Sequence, residues 1–257
     1  KDLGCDAVAL TGDLLDAPTF LFDPVPGFRA DEPAFWAERA EMDCRLFKGI
    51  LDDAGLPYVI LPGNHDFEPA FWRVFDPADN ERTVRGVRLL RFCDHEHHIG
   101  PEGHTPRRFY PERERWLDAR ADASLPPVHL QHYVITPRID RRYPHNYAEH
   151  EEMRRRIAAA PHVRLCLSGH DHDPPPPETH ASTLFAVTTS FCEHPHAFRV
   201  FEVPSDPDGP VTYEDHALDP PRPSRPAVFL DRDGTINDLP AYHFGPERFN
   251  LIPGSAR

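Results

Sequence analysis

Four times along this chain an apolar run stops at a short turn and delivers a side chain able to bind a cation. Val8-Ala9-Leu10 leads through Thr11-Gly12 to Asp13, with Asp16 close behind, and Tyr58 to Leu61 leads through Pro62-Gly63 to Asn64-His65-Asp66. Val128-His129-Leu130-Gln131 ends on His132, and Val163 to Leu167 runs into Ser168-Gly169-His170-Asp171-His172. Short apolar runs bounded by turn residues read as strands buried on both faces, the kind found in parallel sheets. In an open α/β sheet, ligands collect beyond the carboxyl ends of the strands. A fold that lays the four runs side by side therefore brings a carboxylate, an amide and several imidazoles to one crevice.

The intervening sequence supports an α/β class. Phe35, Met42, Leu46, Ile50 and Leu51 recur near the helical period and Gly55 follows as a C-terminal cap, which predicts a helix over 34–54. Further helices are predicted at 111–123 and 147–160, and strands at 7–10, 57–61, 87–92, 127–131, 163–167, 184–189 and 197–203. Strands alternating with helices suggest an α/β domain, and the later strands, which lack helices between them, suggest an antiparallel second half. From 204 to 226 the chain turns rich in Pro and Asp. It has room for a last strand at 210–214, and 219–226 reads as a stiff linker before a new apolar strand, Ala227 to Leu230. The expected organisation is a domain over 1–218, a linker over 219–226 and a fragment of a second domain over 227–257.

A length of 257 residues suits one large domain, or one domain and part of another. No apolar run approaches the roughly 20 residues of a membrane span, so no membrane partner is expected. The net charge of −14 argues against a surface that coats bulk nucleic acid. It leaves room for a phosphate ligand, because bound cations reverse the local field. The five cysteines contain no C-x-x-C pair and read as reduced, mostly buried thiols.

Carboxylate, imidazole and amide oxygen together suit divalent Mn, Fe or Zn. Asp13 has two oxygens and can bridge two ions, and two ions about 3.5–4 Å apart can hold a hydroxide and clamp an in-line displacement at phosphorus. One Gly-Asp pair is ordinarily just a turn. Two imidazoles at i and i+2 after a Gly have little structural use, and the four motifs in order point to a dinuclear hydrolytic site.

The motifs Gly12-Asp13-Leu14-Leu15-Asp16, Gly63-Asn64-His65-Asp66, His132 within "LQHYV" and Gly169-His170-Asp171-His172, with "ERWLDARA" at 114–121, resemble the calcineurin-like metallophosphoesterase superfamily over about residues 3–203. The resemblance implies a four-layer α/β/β/α sandwich with mixed sheets. It implies that Asp13 bridges two metals, that Asn64, His132 and His170 complete one of them and that His172 binds the other. It makes His65 the group facing the leaving alcohol and Asp66 the carboxylate that orients His65, with Asp16 structural. The family's opening Asp-x-His motif has no counterpart here, and Asp171 does not replace it. An amino-terminally truncated chain that holds one metal well, the second weakly, and hydrolyses phosphoesters poorly is the expectation.

Residues 227–237, "AVFLDRDGTIN", resemble the first motif of the haloacid dehalogenase-like phosphatases, and Tyr242, Phe249, Leu251, Pro253 and Gly254 resemble the histidinol-phosphate and heptose-bisphosphate branch. There Asp231 would attack phosphorus, Asp233 would act as general acid and base, and Mg would sit beside them in a complete Rossmann-like domain. Among lesser features, "DHEHH" at 94–98 reads as a solvated loop and "DPPPP" at 173–177 as a rigid one. Arg107, Arg108, Arg138, Arg141 and Arg142 read as mostly solvent-facing, with one or two able to meet phosphate.

The leading expectation is a cytoplasmic metallophosphoesterase acting on a small phosphate mono- or diester through a metal-held hydroxide. The alternatives are a sugar- or histidinol-type phosphatase acting through the carboxy-terminal domain, and a degenerate metal fold serving as a scaffold. Retention of His65 and Asp66 disfavours the scaffold. The oligomeric state is left open.

Overall fold

A computed structural model of the chain describes residues 3–18, 21, 32–93, 125–141, 145–160, 162–206 and 209–218. The described residues belong to the unit Lys1–Asp219. The predicted helix at 111–123, the segment 114–121, the "DHEHH" loop, Arg107, Arg108, Arg142, the linker 219–226 and the whole of 227–257, with Asp231 and Asp233, lie outside the described residues.

In order along the chain the elements are β1 (Val8–Leu10), α1 (Glu32–Ala54), β2 (Tyr58–Ile60), α2 (Glu68–Val74), β3 (Glu81–Val84), β4 (Val87–Arg91), β5 (Pro127–Leu130), α3 (His150–Ala158), β6 (Leu165–Ser168), β7 (Glu178–His180), β8 (Thr183–Val187), β9 (Ala197–Glu202) and β10 (Thr212–Ala217). β1 and β2 pair in parallel. Six strands form a mixed sheet in the order β3-β4-β5-β6-β8-β7. Its four central strands run parallel, and its edges β3 and β7 are antiparallel. β9 and β10 form an antiparallel pair. The expected antiparallel second half is therefore only partly met, because β6 pairs in parallel with β8 and β7 is added outside it.

The two-residue period of a strand sorts side chains between cores. Val59 and Leu61 join a cluster with Val128, Leu130, Leu165, Leu167, Leu184 and Ala186, so the β1–β2 pair and the six-stranded sheet share one apolar layer. The alternate residues Tyr58 and Ile60 face the other way, into a cluster with Cys44, Phe47 and Leu51 of α1 and Phe71 and Phe75 of the α2 region. On the far side of the large sheet, Cys166 and Phe185 pack against Met153 and Ile157 of α3. The packing order is thus helices, strand pair, large sheet, helix. At about 1.5–3 kcal/mol for each fully buried aliphatic or aromatic side chain, these three clusters are the main stabilising term.

Arg91 ties the layers together from within. Its Nη1 donates to the carbonyl of Ile60 (2.8 Å) and its Nη2 to that of Asp76 (2.6 Å), and its guanidinium lies 4.9 Å from the centre of the Trp72 ring. The end of β2, which carries the Gly63-to-Asp66 motif, is thereby pinned to β4.

α1 forms where the periodicity predicts it, but the recurring residues are mostly not the ones it buries. Its inner face is Ala40, Cys44, Phe47 and Leu51, while Phe35, Met42, Leu46 and Ile50 point outward.

Candidate metal centre

Each strand end places its motif through close backbone contact with another motif. A Cβ on Gly12 would lie 2.5 Å from His132 Nδ1 and 2.7 Å from the Gly63 nitrogen. One on Gly63 would fall on Asp13 Oδ1 and lie 2.6 Å from His132 Cε1, and one on Gly169 would lie 2.7 Å from the Thr11 carbonyl oxygen. Any side chain at these three positions would separate the motifs, so the glycines serve approach between loops more than flexibility.

The convergence centres on His132, which is buried at the end of β5. Its Nδ1 lies 2.7 Å from the Thr11 carbonyl oxygen. A carbonyl can only accept, so Nδ1 donates and Nε2 is the nitrogen turned to the site. Around Nε2 stand Asn64 Oδ1 at 2.9 Å, His170 Nδ1 at 3.1 Å and Asp13 Oδ2 at 3.4 Å. One ligand atom from each of Asp13, His132 and His170 falls in a group within 4.8 Å of one another. Two oxygens facing one nitrogen at these distances repel unless a proton or a cation lies among them. The donor set of carboxylate, amide oxygen and two imidazoles therefore fits a divalent transition metal.

The electrostatics agree. Burial alone would raise the Asp13 carboxyl, but the charge and hydrogen bond of His132, with the His65 backbone N–H, outweigh it and hold Asp13 well below the usual carboxylate range. Burial alone would lower His132, but the Asp13 charge and hydrogen bond, with the Thr11 carbonyl and the Asp66 charge, together outweigh it and raise the imidazole above its ordinary value. Burial, followed by the charge of His132, pushes His170 down to about 2, so its ring stays neutral with a lone pair to give. The Asp13 charge thus favours positive charge at His132, where a cation would otherwise sit.

Asp13 (φ 54°) and His170 (φ 70°) both occupy the left-handed backbone region, which costs a non-glycine residue on the order of 1–2 kcal/mol. Such strain persists only where surrounding contacts impose it, and it gathers at functional positions. The His65 N–H donates to Asp13 Oδ1 (2.9 Å), fixing one oxygen while Oδ2 faces the imidazoles.

Two expected roles are corrected. Asp66 does not orient His65. Its buried carboxylate accepts the backbone N–H groups of Leu14 (3.1 Å), Leu15 (2.8 Å) and Gly63 (2.8 Å), and so staples the first motif to the second. Burial pushes its carboxyl up to about 6, with Asp13 adding to the rise and the three N–H groups holding it back. The carboxylate on the His65 ring belongs to Asp16, whose Oδ1 lies 2.9 Å from Nδ1.

His172 stands outside the 4.8 Å group, half-exposed, with its Nδ1 2.8 Å from Glu193 Oε1. Asp171 turns away into the protein, where Oδ1 accepts from Arg141 Nη1 (2.7 Å) and from the Asp173 N–H (3.2 Å). Arg141 is therefore engaged in structure, and Arg138 is exposed. Sequence reasoning missed Glu193, which lies in no motif, and two rings against His170: Tyr133, with centroids 4.8 Å apart, and His145, at 5.1 Å. Tyr133 directly follows His132 and could have been noticed there; nothing in the sequence marks His145.

Among solved structures, a dimetal phosphatase from Danio rerio aligns at 13% identity over 85% of this chain and 85% of its own, with a TM-score of 0.49. A second solved structure aligns at 13% identity over 83% of this chain and 88% of its own, with a TM-score of 0.53, a likeness of fold. No curated protein matches the sequence. Residues 1–174 match the family described as calcineurin-like phosphoesterase. That match spans the four motifs, and the chain belongs to the calcineurin-like phosphoesterases, metal-dependent hydrolases of phosphate esters.

Proposed function

We propose that this protein hydrolyses small phosphate mono- or diesters at a dinuclear centre. Asp13, Asn64, His132 and His170 would hold one divalent ion, and Asp13 and His172 would serve the other. The observation that carries this reading is the crowding of Asn64 Oδ1, Asp13 Oδ2 and His170 Nδ1 around His132 Nε2. When bound, the ions supply charge neutralisation at the phosphoryl oxygens and activation of water as nucleophile. The donor set is consistent with Mn, Fe or Zn.

The remaining chemistry falls to the chain's own side chains. His65 is tied by its backbone to Asp13 and by its Nδ1 to Asp16, which makes Nε2 the nitrogen to hand a proton to the departing alkoxide. Glu193 on Nδ1 of His172 leaves Nε2 as that ring's metal-facing atom, the usual arrangement of a carboxylate behind a ligand histidine. The four-layer reading of the fold rests on the stacking of the three apolar clusters. No helix among the described residues is long and apolar enough to cross a membrane. The haloacid dehalogenase-like reading of 227–257 rests on its motif alone.

The test is hydrolysis of aryl phosphate mono- and diesters by the full chain loaded with Mn²⁺. His132→Ala is expected to abolish turnover and His65→Ala to lower kcat most for poor leaving groups. Activity that survives His132→Ala but not Asp231→Ala would move the chemistry to the carboxy-terminal segment and overturn the proposal.

A further inference from the structure

The turn that carries His170 is bent in a way its own residues do not favour. The Asp171 N–H donates to the Gly169 carbonyl (2.9 Å) across His170, whose φ is 70°. A hydrogen bond between residues two apart, around a centre at such a φ, marks a γ-turn of the rare, strained hand. Contacts from outside the turn must impose it. On one flank the Gly169 N–H donates to the His132 carbonyl (2.8 Å). On the other stands Asp171, whose buried carboxylate accepts from Arg141 Nη1 (2.7 Å) and from the Asp173 N–H (3.2 Å). Its Oδ2 has no hydrogen-bond partner among the described residues. Arg141 grips the same turn a second time, with Nη2 donating to the Asp173 carbonyl (3.1 Å) and to Asp173 Oδ2 (3.3 Å).

Arg141 is itself fixed. It lies in the loop that follows His132, and Asn146 ties that loop across. Asn146 Oδ1 accepts the Ile139 N–H (2.7 Å), and its Nδ2 donates to the carbonyls of Pro137 (3.0 Å) and Val134 (3.3 Å). One loop therefore delivers His132 at its start and reaches the turn of His170 further on.

We propose that Arg141 is a positioning residue of the metal centre: through Asp171 it holds His170 in the strained turn that sets Nδ1 beside His132 Nε2. The inference rests on the metal-centre reading above. The sign of the effect separates it from plain electrostatics. A fixed cation near a Mn²⁺ site repels the ion, so on charge alone removing Arg141 should tighten binding. Removing a brace should weaken it, by about 10–100-fold, the range found for groups that orient metal ligands. A lysine supplies the charge but not the planar fork that spans Asp171 and Asp173, so Arg141→Lys should recover only part of the loss.

Calorimetric titration of the folded full chain with Mn²⁺ tests this, together with melting curves and pulsed EPR at one equivalent of Mn²⁺, which counts imidazole nitrogens on the ion. Two such nitrogens are expected in the wild type, and one in Arg141→Ala, with affinity down at least tenfold. Arg138→Ala makes the same charge change on an exposed side chain of the same loop and should bind Mn²⁺ no more weakly than wild type. Arg141→Ala also leaves the buried Asp171 charge unpaired and should melt lower. Adding Asp171→Asn removes that charge, and should restore the melting temperature while the affinity stays low. Affinity that returns with the melting temperature, or Arg141→Ala protein that binds Mn²⁺ as tightly as wild type, overturns the proposal and leaves the metal centre standing. A wild type that binds no Mn²⁺ overturns both.

Discussion

Replacing Asp66 with Ala separates two accounts of that residue. If Asp66 oriented His65, its loss would lower kcat and leave stability alone. The structure instead gives its carboxylate the N–H groups of Leu14, Leu15 and Gly63. Orphaning three such donors costs about 1–2 kcal/mol each, roughly 3–6 kcal/mol together. The buried charge offsets part of this: a rise from 3.8 to about 6 corresponds to about 3 kcal/mol against the ionised form. The net expectation for metal-free protein at pH 7.5 is a loss of about 0–3 kcal/mol, or a fall in Tm of up to about 10 °C for a unit of this size. The raised folded value also sets a pH dependence. Stability from Asp66 is full below 3.8 and is lost as pH rises through about 6, so the cost of the substitution should grow by about 2 kcal/mol from pH 7.5 to 4.5. Asp66→Asn, which keeps an acceptor oxygen and sheds the charge, should cost less than about 1 kcal/mol, and Asp16→Ala should leave stability unchanged. Urea titrations of the four proteins at both pH values read these quantities. An Asp66→Ala protein as stable as wild type at pH 4.5, with kcat collapsed, would refute the reasoning.

Gly63→Ala should impair Mn²⁺ binding at least tenfold by calorimetry, because the new methyl falls on Asp13 Oδ1 and against His132. A ligand imidazole must be neutral and the Asp13 charge favours the protonated form of His132, so Mn²⁺ affinity should weaken as pH falls, measurable by calorimetry across a pH series. In native protein a thiol reagent should label exposed Cys192 first and spare Cys44, which is buried with its thiol pushed up to about 12, until urea is added.

Much of the sheet was legible because its central strands are buried on both faces and so read as unbroken apolar runs. The edge strands β3 and β7, "ERTV" and "ETH", were not, since an edge strand facing water carries no such signal. α1 was legible as a helix but not in its orientation, because it has apolar residues on two sides and sequence cannot say which is covered. At the site, the side chains of Asp13, Asn64, His132 and His170 lie together, each just beyond the end of an apolar run. The exchange of roles between Asp16 and Asp66 was hidden, because adjacency to His65 in the chain says nothing of where a carboxylate turns within a tight loop. Glu193 lies 21 residues beyond His172, and only the packing of the late loops brings the two together.

Crystals grown with Mn²⁺, measured at its absorption edge, put the central question directly. The expected map has an anomalous peak within about 2.0–2.3 Å of His132 Nε2, His170 Nδ1, Asn64 Oδ1 and a carboxylate oxygen of Asp13. Full-occupancy protein with no peak among those four side chains, or a Mn²⁺ ion bound elsewhere while they stay hydrogen-bonded to one another, would contradict it.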